Sequence, residues 1–277
     1  PGFLARLREH GQEQADRFLA ASRARRCVRR TVEGIWSGDG DPTAGLPPSF
    51  RLYLPTSLAE LRQYRRGDAE APESTVGPTG YAAFARALRR GFPDLTLTVA
   101  ESVTQGDRVA VRWRGTGTHD GPLAGLEPTG RRATLSGMSL YHLADGRPVA
   151  AWVLTEQWGL LQQLTGDRPP VPLPTVSRVS ATPLVTQLSA PAEHVALARR
   201  LVESVWNDGR RDVFPELVDD DCRLHLDDGS DPRGPDAYWQ VVQRYRRGFP
   251  DLSVTIEETV AEGDKVVVRT RVHGTQE

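Results

Sequence analysis

Seven residues, RRGFPDL, occur twice without a change, at 89–95 and at 246–252. A run that keeps a Gly, a Phe and a Pro intact marks a duplicated segment. Duplication limits what the chain can fold into, because whatever one copy builds the other must build from the same pattern. Setting Gly77 against Gly234 and reading on without a gap leaves nearly half of the positions identical, among them Tyr81/Tyr238, Gly106-Asp107/Gly263-Asp264, Val111-Arg112/Val268-Arg269 and Gly117-Thr118/Gly274-Thr275. Upstream, VEGIWSGDG (32–40) resembles VESVWNDGR (202–210), and RLYL (51–54) resembles RLHL (223–226). The repeated unit is therefore a domain, and 277 residues accommodate two of ordinary size.

Both copies follow one plan. A helix ends at Trp36 or Trp206, where Gly and Asp stop it; in the second copy Leu197, Leu201, Val202 and Val205 supply its apolar stripe. A short strand follows (51–54 or 223–226), then a helix entered through Gly-Pro and ending at Gly91 or Gly248. After Pro-Asp come two strands, TLTVAESV and RVAVRWRGTG or SVTIEETV and KVVVRTRVHG, joined by a Gly-Asp turn. The first copy continues with TGRRATLSGMSLYHL, a turn at Asp145-Gly146-Arg147, VAAWVLTEQWGLLQQL and a short terminal helix. The class is α+β, with helices packed on an antiparallel sheet.

The expected division is an N-terminal helical extension (1–22), a complete first domain (23–166), a Pro-rich linker (167–191) and a second domain (192–277). The second lacks everything equivalent to 121–165, and the chain opens on Pro1. A chain trimmed at both ends is the expectation, with a decayed second copy as the alternative. An insertion near 55–76, carrying Arg62, Tyr64, Arg65 and Arg66, reads either as a lid or as a surface loop.

A formal net charge of −1 gives no concentrated basic surface for nucleic acid or anionic membranes. The arginines at 23, 25, 26, 29 and 30 read as a solvated helix face. Cys27 and Cys222 have no metal-ligand spacing, and no apolar run reaches a membrane-spanning length. A cytoplasmic protein without metal or cofactor is expected. Lys265 is the sole lysine among many arginines, which suggests a high-GC bacterial genome.

The run of GFPDL, GDRVAVRW, GTHDGPLAGLEPTGRRAT, YHLADGRPVAAW and EQWGLLQQL resembles the SnoaL-like polyketide cyclases of the NTF2-like superfamily. The likeness covers about 23–166 in full and 192–277 as a truncated second domain. It implies two cone-shaped α+β domains, each a curved antiparallel sheet with helices on its concave face. It also implies cofactor-independent aldol-type ring closure of a polyketide-like carbonyl compound. In such cyclases an acidic residue four positions after a Trp and before a GLLxQL-like helix is the general acid/base. Here that position is Glu156, after Trp152, where the family usually has Asp. A His fourteen residues earlier matches His142. The resemblance also makes a docked pair of domains, or a homodimer, the expected assembly.

Strand alternation puts Met138, Leu140 and His142 on one face of their strand and Trp152, Leu154 and Glu156 on one face of theirs. Joined by the 145–146 turn, these residues are expected to line one apolar space, with His142 adjacent to Glu156 and the Glu156 pKa raised to about 6–7; an exposed strand-end Glu156 and a surface His142 are the alternatives. Tyr53 is expected to donate to a developing oxyanion. Trp113 reads as core or ligand contact. Arg112, repeated as Arg269, reads as a structural ion pair first and a substrate anchor second. His119, in GTHDG, reads as an exposed turn residue with a pocket role as the alternative. The second copy, with His225, Trp239 and the acidic residues 219–221, 227 and 228, is expected not to share the chemistry. The rivals to an enzyme are a protein that sequesters a hydrophobic metabolite and a scaffold with filled cones.

Overall fold

The computed structural model describes residues 2–36, 43, 45–54, 74–123, 125–166, 191–226 and 230–275. Insertion residues 55–73, with Arg62, Tyr64, Arg65 and Arg66, linker residues 167–190, and Asp227 and Asp228 lie outside them. The chain divides into two compact units, Pro1–Val176 and Ser177–Glu277.

The first unit opens with α1, Gly2–Trp36, one uninterrupted helix in which the 1–22 extension and the first domain's helix are a single element. Ala24, Val28 and Val32 recur every four residues and form its buried stripe. Polar contacts fix it over the sheet: Arg25 Nε donates to Thr104 Oγ1 at 3.0 Å, and Glu33 Oε1 accepts the Val99 N–H at 3.2 Å.

Strand β1 (Arg51–Leu54) and strand β2 (Ser74–Val76) come next. Helix α2, Pro78–Gly91, starts with proline in its first turn and carries Arg89 and Arg90 in its last, where the helix dipole favours cations. Then follow β3 (Thr96–Gln105), β4 (Arg108–Thr118), β5 (Arg132–Ala144), β6 (Arg147–Thr155) and α3 (Gln157–Thr165). The six strands pair in the order β2-β1-β6-β5-β4-β3. The sheet is antiparallel, as expected, with one parallel pair at β1–β6. A register shift between Val99 and Glu101 bends β3.

Alternation gives the sheet two unlike faces. One carries Leu52, Val99, Val109, Val111, Trp113 and Tyr141, which join Val28, Tyr81 and Phe92 in the main core under α1 and α2. The other carries Arg112, Met138, Leu140, His142, Trp152 and Leu154, as the register across β4, β5 and β6 requires.

The second unit contains α4 (Pro191–Arg200), continuing as a π-helical stretch (Leu201–Asn207), then α5 (Phe214–Leu217), α6 (Gly234–Gly248), β7 (Ser253–Glu262) and β8 (Lys265–His273). Its core gathers Val205, Val213, Phe214, Trp239 and Val242. Strand β7 repeats the register shift of β3, here between Ile256 and Glu258. Residues 223–226, expected as a strand, make only a bridge between Arg223 and Arg233. Among the described residues of this unit nothing offers them the ladder that β6 offers β1.

The doubled RRGFPDL performs one task in both units. The amide of Phe92 or Phe249 closes the helix onto the carbonyl of Leu88 or Tyr245. The next aspartate then receives the following hairpin: Asp94 accepts the Thr118 N–H and hydroxyl, and Asp251 accepts the same pair from Thr275. The backbone donors at Thr118 and Thr275 are the first cause holding both carboxyls below the usual aspartate range. Segment 119–121 is tied to the same helix end, because Asp120 and Gly121 donate to the Gly91 carbonyl. A side chain at Gly121 would meet the Arg90 carbonyl at 1.8 Å, so only glycine fits.

Candidate active site

The face away from the helices brings together most of the residues that the sequence singled out. Strand β1 lies beside β6 with Tyr53 opposite Trp152, and their rings stack at 4.7 Å and 4°. His142 extends the row, its ring 4.7 Å from Trp152 and tilted by 55°. Leu140 faces Trp152 across β5–β6 and is buried. Met138 faces Leu154 one step on, and both are exposed, by 39% and 63%.

Glu156 follows β6 directly. Its N–H still pairs with the Ser136 carbonyl at 3.0 Å, and Oε2 accepts the Ser136 hydroxyl at 2.5 Å. It occupies the N-cap position of α3 without capping the helix, so its carboxyl is committed to the sheet rather than to the helix amides. The carboxyl is half-buried and lies in the field of Arg114. Burial, then Arg112, lowers the Arg114 pKa, while Glu101 and Glu156 oppose that shift. Two cations and two carboxylates thus share this end of the face. Arg112 spends its guanidinium on Glu101 at 2.8 Å, and Arg269 repeats the pairing with Glu257 and Glu258.

The expected adjacency of His142 and Glu156 is corrected by the register. His142 pairs with Ala150, six residues before Glu156. At about 3.3 Å per residue their backbone positions stand about 20 Å apart along the strand, too far for direct proton exchange. They share a face and sit at its opposite ends.

Trp113 stands on the other face, 5% exposed, its Nε1 donating to Ser139 Oγ at 2.9 Å. Its ring lies where a Cβ on Gly137 would be, 2.3 Å from Trp113 Cζ2. Ser139 is also bonded to Tyr141, and Tyr141 to Tyr81, so four polar groups form a chain within the helix-covered core. Burial pushes Tyr141 up to about 12, partly offset by its bonds to Tyr81 and Ser139. Burial, then Tyr141, pushes Tyr81 well above the usual range. Both remain protonated donors near neutral pH. The sequence signals of this chain of bonds are the recurrence of Tyr81 as Tyr238 and the position of Tyr141 opposite in phase to His142.

His119 is fully buried, contrary to its reading as an exposed turn residue. The turn that carries it folds under Phe92, whose ring lies 5.4 Å away. Nδ1 accepts the Thr129 N–H, which puts the proton of the neutral ring on Nε2, a buried atom without a hydrogen-bond partner. Burial lowers the His119 pKa, and Asp120 opposes the shift.

In the second unit Trp239 is core, and His225 lies 3.1 Å from Asp231. Among the described residues no group of three or more His, Cys, Asp or Glu is arranged to hold a metal ion. No described helix is long and apolar enough to cross a membrane.

The sequence profile of the SnoaL-like polyketide cyclases matches residues 58–164 and again 196–277, more than half of the chain and once in each unit. No curated protein matches. Among solved structures, IdmH from Streptomyces antibioticus, described as a polyketide cyclase, is 28% identical over 52% of this chain and 98% of its own, with a TM-score of 0.42. A protein from Jannaschia sp. CCS1, described as a SnoaL-like polyketide cyclase, is 23% identical over 52% and 93%, with a TM-score of 0.44. AclR from Streptomyces galilaeus, described as a hydroxylase, is 24% identical over 55% and 85%, with a TM-score of 0.42. With both of its segments matched by one family profile, the chain belongs to the SnoaL-like polyketide cyclase family.

Proposed function

We propose that the first unit closes a ring in a polyketide-like carbonyl metabolite by general acid/base chemistry, with Glu156 as the acid/base, in bacterial secondary metabolism in the cytoplasm. The observation that carries the reading is the setting of Glu156: a half-buried carboxylate held by Ser136 Oγ in the field of Arg114, beside an exposed apolar rim. In the reaction, Glu156 removes a proton from a carbon next to a carbonyl. The carbanion adds to a second carbonyl of the folded substrate, and the protonated Glu156 returns its proton to the resulting alkoxide. Arg114 stabilises negative charge on both the carboxylate and the enolate. Stacked Tyr53 and Trp152 offer aromatic surface to an unsaturated substrate, and Met138 and Leu154 add exposed apolar surface on the same face. The His142 ring completes the platform and takes no proton. The chemistry asks only for orientation and a base, so the reading assigns no cofactor.

The test is incubation with a linear aromatic polyketone and detection of the cyclised product by mass spectrometry. Product from the unmodified protein, and none from Glu156→Gln with ligand binding retained, supports the reading. A second reading, capture of a hydrophobic metabolite without chemistry, draws on Leu154 and Trp158, exposed by 63% and 61%. It predicts equal binding by both proteins and no product from either.

A further inference from the structure

Strand β5 outruns its partner. The last β5–β6 pair is Gly137 with Thr155, and Ser136 takes one more bond, from the Glu156 N–H. At Thr134 the next backbone N–H and carbonyl on this edge face the place that a longer β6 would fill. A side chain fills it instead. Gln163 Oε1 accepts the Thr134 N–H at 2.9 Å, and Nε2 donates to the Thr134 carbonyl at 3.0 Å, the pattern of a paired strand residue. Nε2 also donates to the Gly159 carbonyl at 3.1 Å, tying the amide to its own helix. Gln163 is 2% exposed, so these groups have no water to fall back on.

Helix α3 depends on this contact more than most helices would. It has nine residues and no side-chain cap at its start, and a helix so short is marginal without tertiary support. That support comes from Leu160 and Leu164 in the core and from Gln163 on the sheet edge. Glu156 sits at the hinge between β6 and α3, bonded to Ser136, two residues from Thr134. Any drift of α3 away from Thr134 pulls on the Glu156 backbone.

We infer that Gln163 is the positioning residue for Glu156: its amide stands in for a missing strand partner and locks the β6–α3 hinge so that the carboxyl stays on Ser136. The inference rests on Glu156 as the acid/base for its bearing on chemistry, and its test does not use turnover. In protein labelled with ¹³C at glutamate, assigned through Glu156→Gln, the Glu156 carboxyl is titrated and backbone amide exchange is followed in parallel. In Gln163→Met the Glu156 and Thr134 amides are expected to exchange at least about tenfold faster, while those of Val109 and Val111 keep their protection. The Glu156 titration midpoint moves by about half a pH unit or more as the Ser136 bond loosens. Unchanged exchange and titration of Glu156 in Gln163→Met would overturn the inference.

If Gln163→Met does not fold, Gln163→Glu serves, since its new carboxyl reproduces the amide pattern only when protonated. Protection of the Glu156 amide in that variant is expected to rise as the carboxyl protonates, and pH-independent protection would overturn the inference. Loss of catalysis is a separate matter: a Glu156→Gln protein that still closes rings sinks the acid/base reading and leaves the lock standing.

Discussion

Single residues here act through the partners that the fold gives them. Burial penalises the charged form of His119, and the Thr129 N–H donates to its Nδ1. Its folded pKa therefore lies below the ordinary value of 6.5, so the unfolded chain binds the extra proton first. Stability from this group is complete above about pH 6.5 and falls as the pH drops from there through the lower folded value. Thermal unfolding between pH 7.5 and 5 is expected to show that decline in the unmodified protein and a shallower one in His119→Gln. Equal slopes would show that the buried ring does not control it. The sequence could not place His119, since GTHDG announces a turn and says nothing about Phe92, distant in sequence, closing over it. Arg112 was legible, because an arginine repeated at the same strand position in two copies asks for the same partner in both, and an acidic residue at the equivalent position, Glu101 or Glu258, lies across the hairpin.

At the level of elements, period-2 alternation gave the correct company and left the surroundings open. Met138, Leu140 and His142 do share a face with Trp152 and Leu154. Which face the helices cover depends on contacts between distant segments, and no strand pattern encodes it. Distance along the strand was the other omission, since sharing a face says nothing about standing at the same end of it. Packing between elements yields two expectations. Gly137→Ala forces a methyl into the Trp113 ring and the Leu154 carbonyl, each 2.3 Å from the added carbon. Its cost should reach the upper end of overpacking, about 3 kcal/mol in urea unfolding, and a loss under 1 kcal/mol would contradict the close fit. Phe92→Ala empties the fully buried centre of the RRGFPDL turn and is expected to cost about 3–5 kcal/mol by the same measurement.

Across the whole molecule, the two units share structure down to irregularities: the strand bulge, the helix stop and the Asp–Thr bonds all recur. The first unit has a six-stranded sheet and its own core. A protein of residues 1–166 is therefore expected to unfold in one cooperative transition, and a gradual melt would contradict an independent unit. Proton transfer at carbon by Glu156 is read most directly by deuterium exchange, which needs no natural substrate. An aromatic 1,3-diketone is held with the protein in deuterium oxide, and NMR follows label entering the carbon between its carbonyls. Exchange is expected to fall about 10²–10⁴-fold in Glu156→Gln while diketone binding is retained. Equal exchange by the two proteins would contradict it.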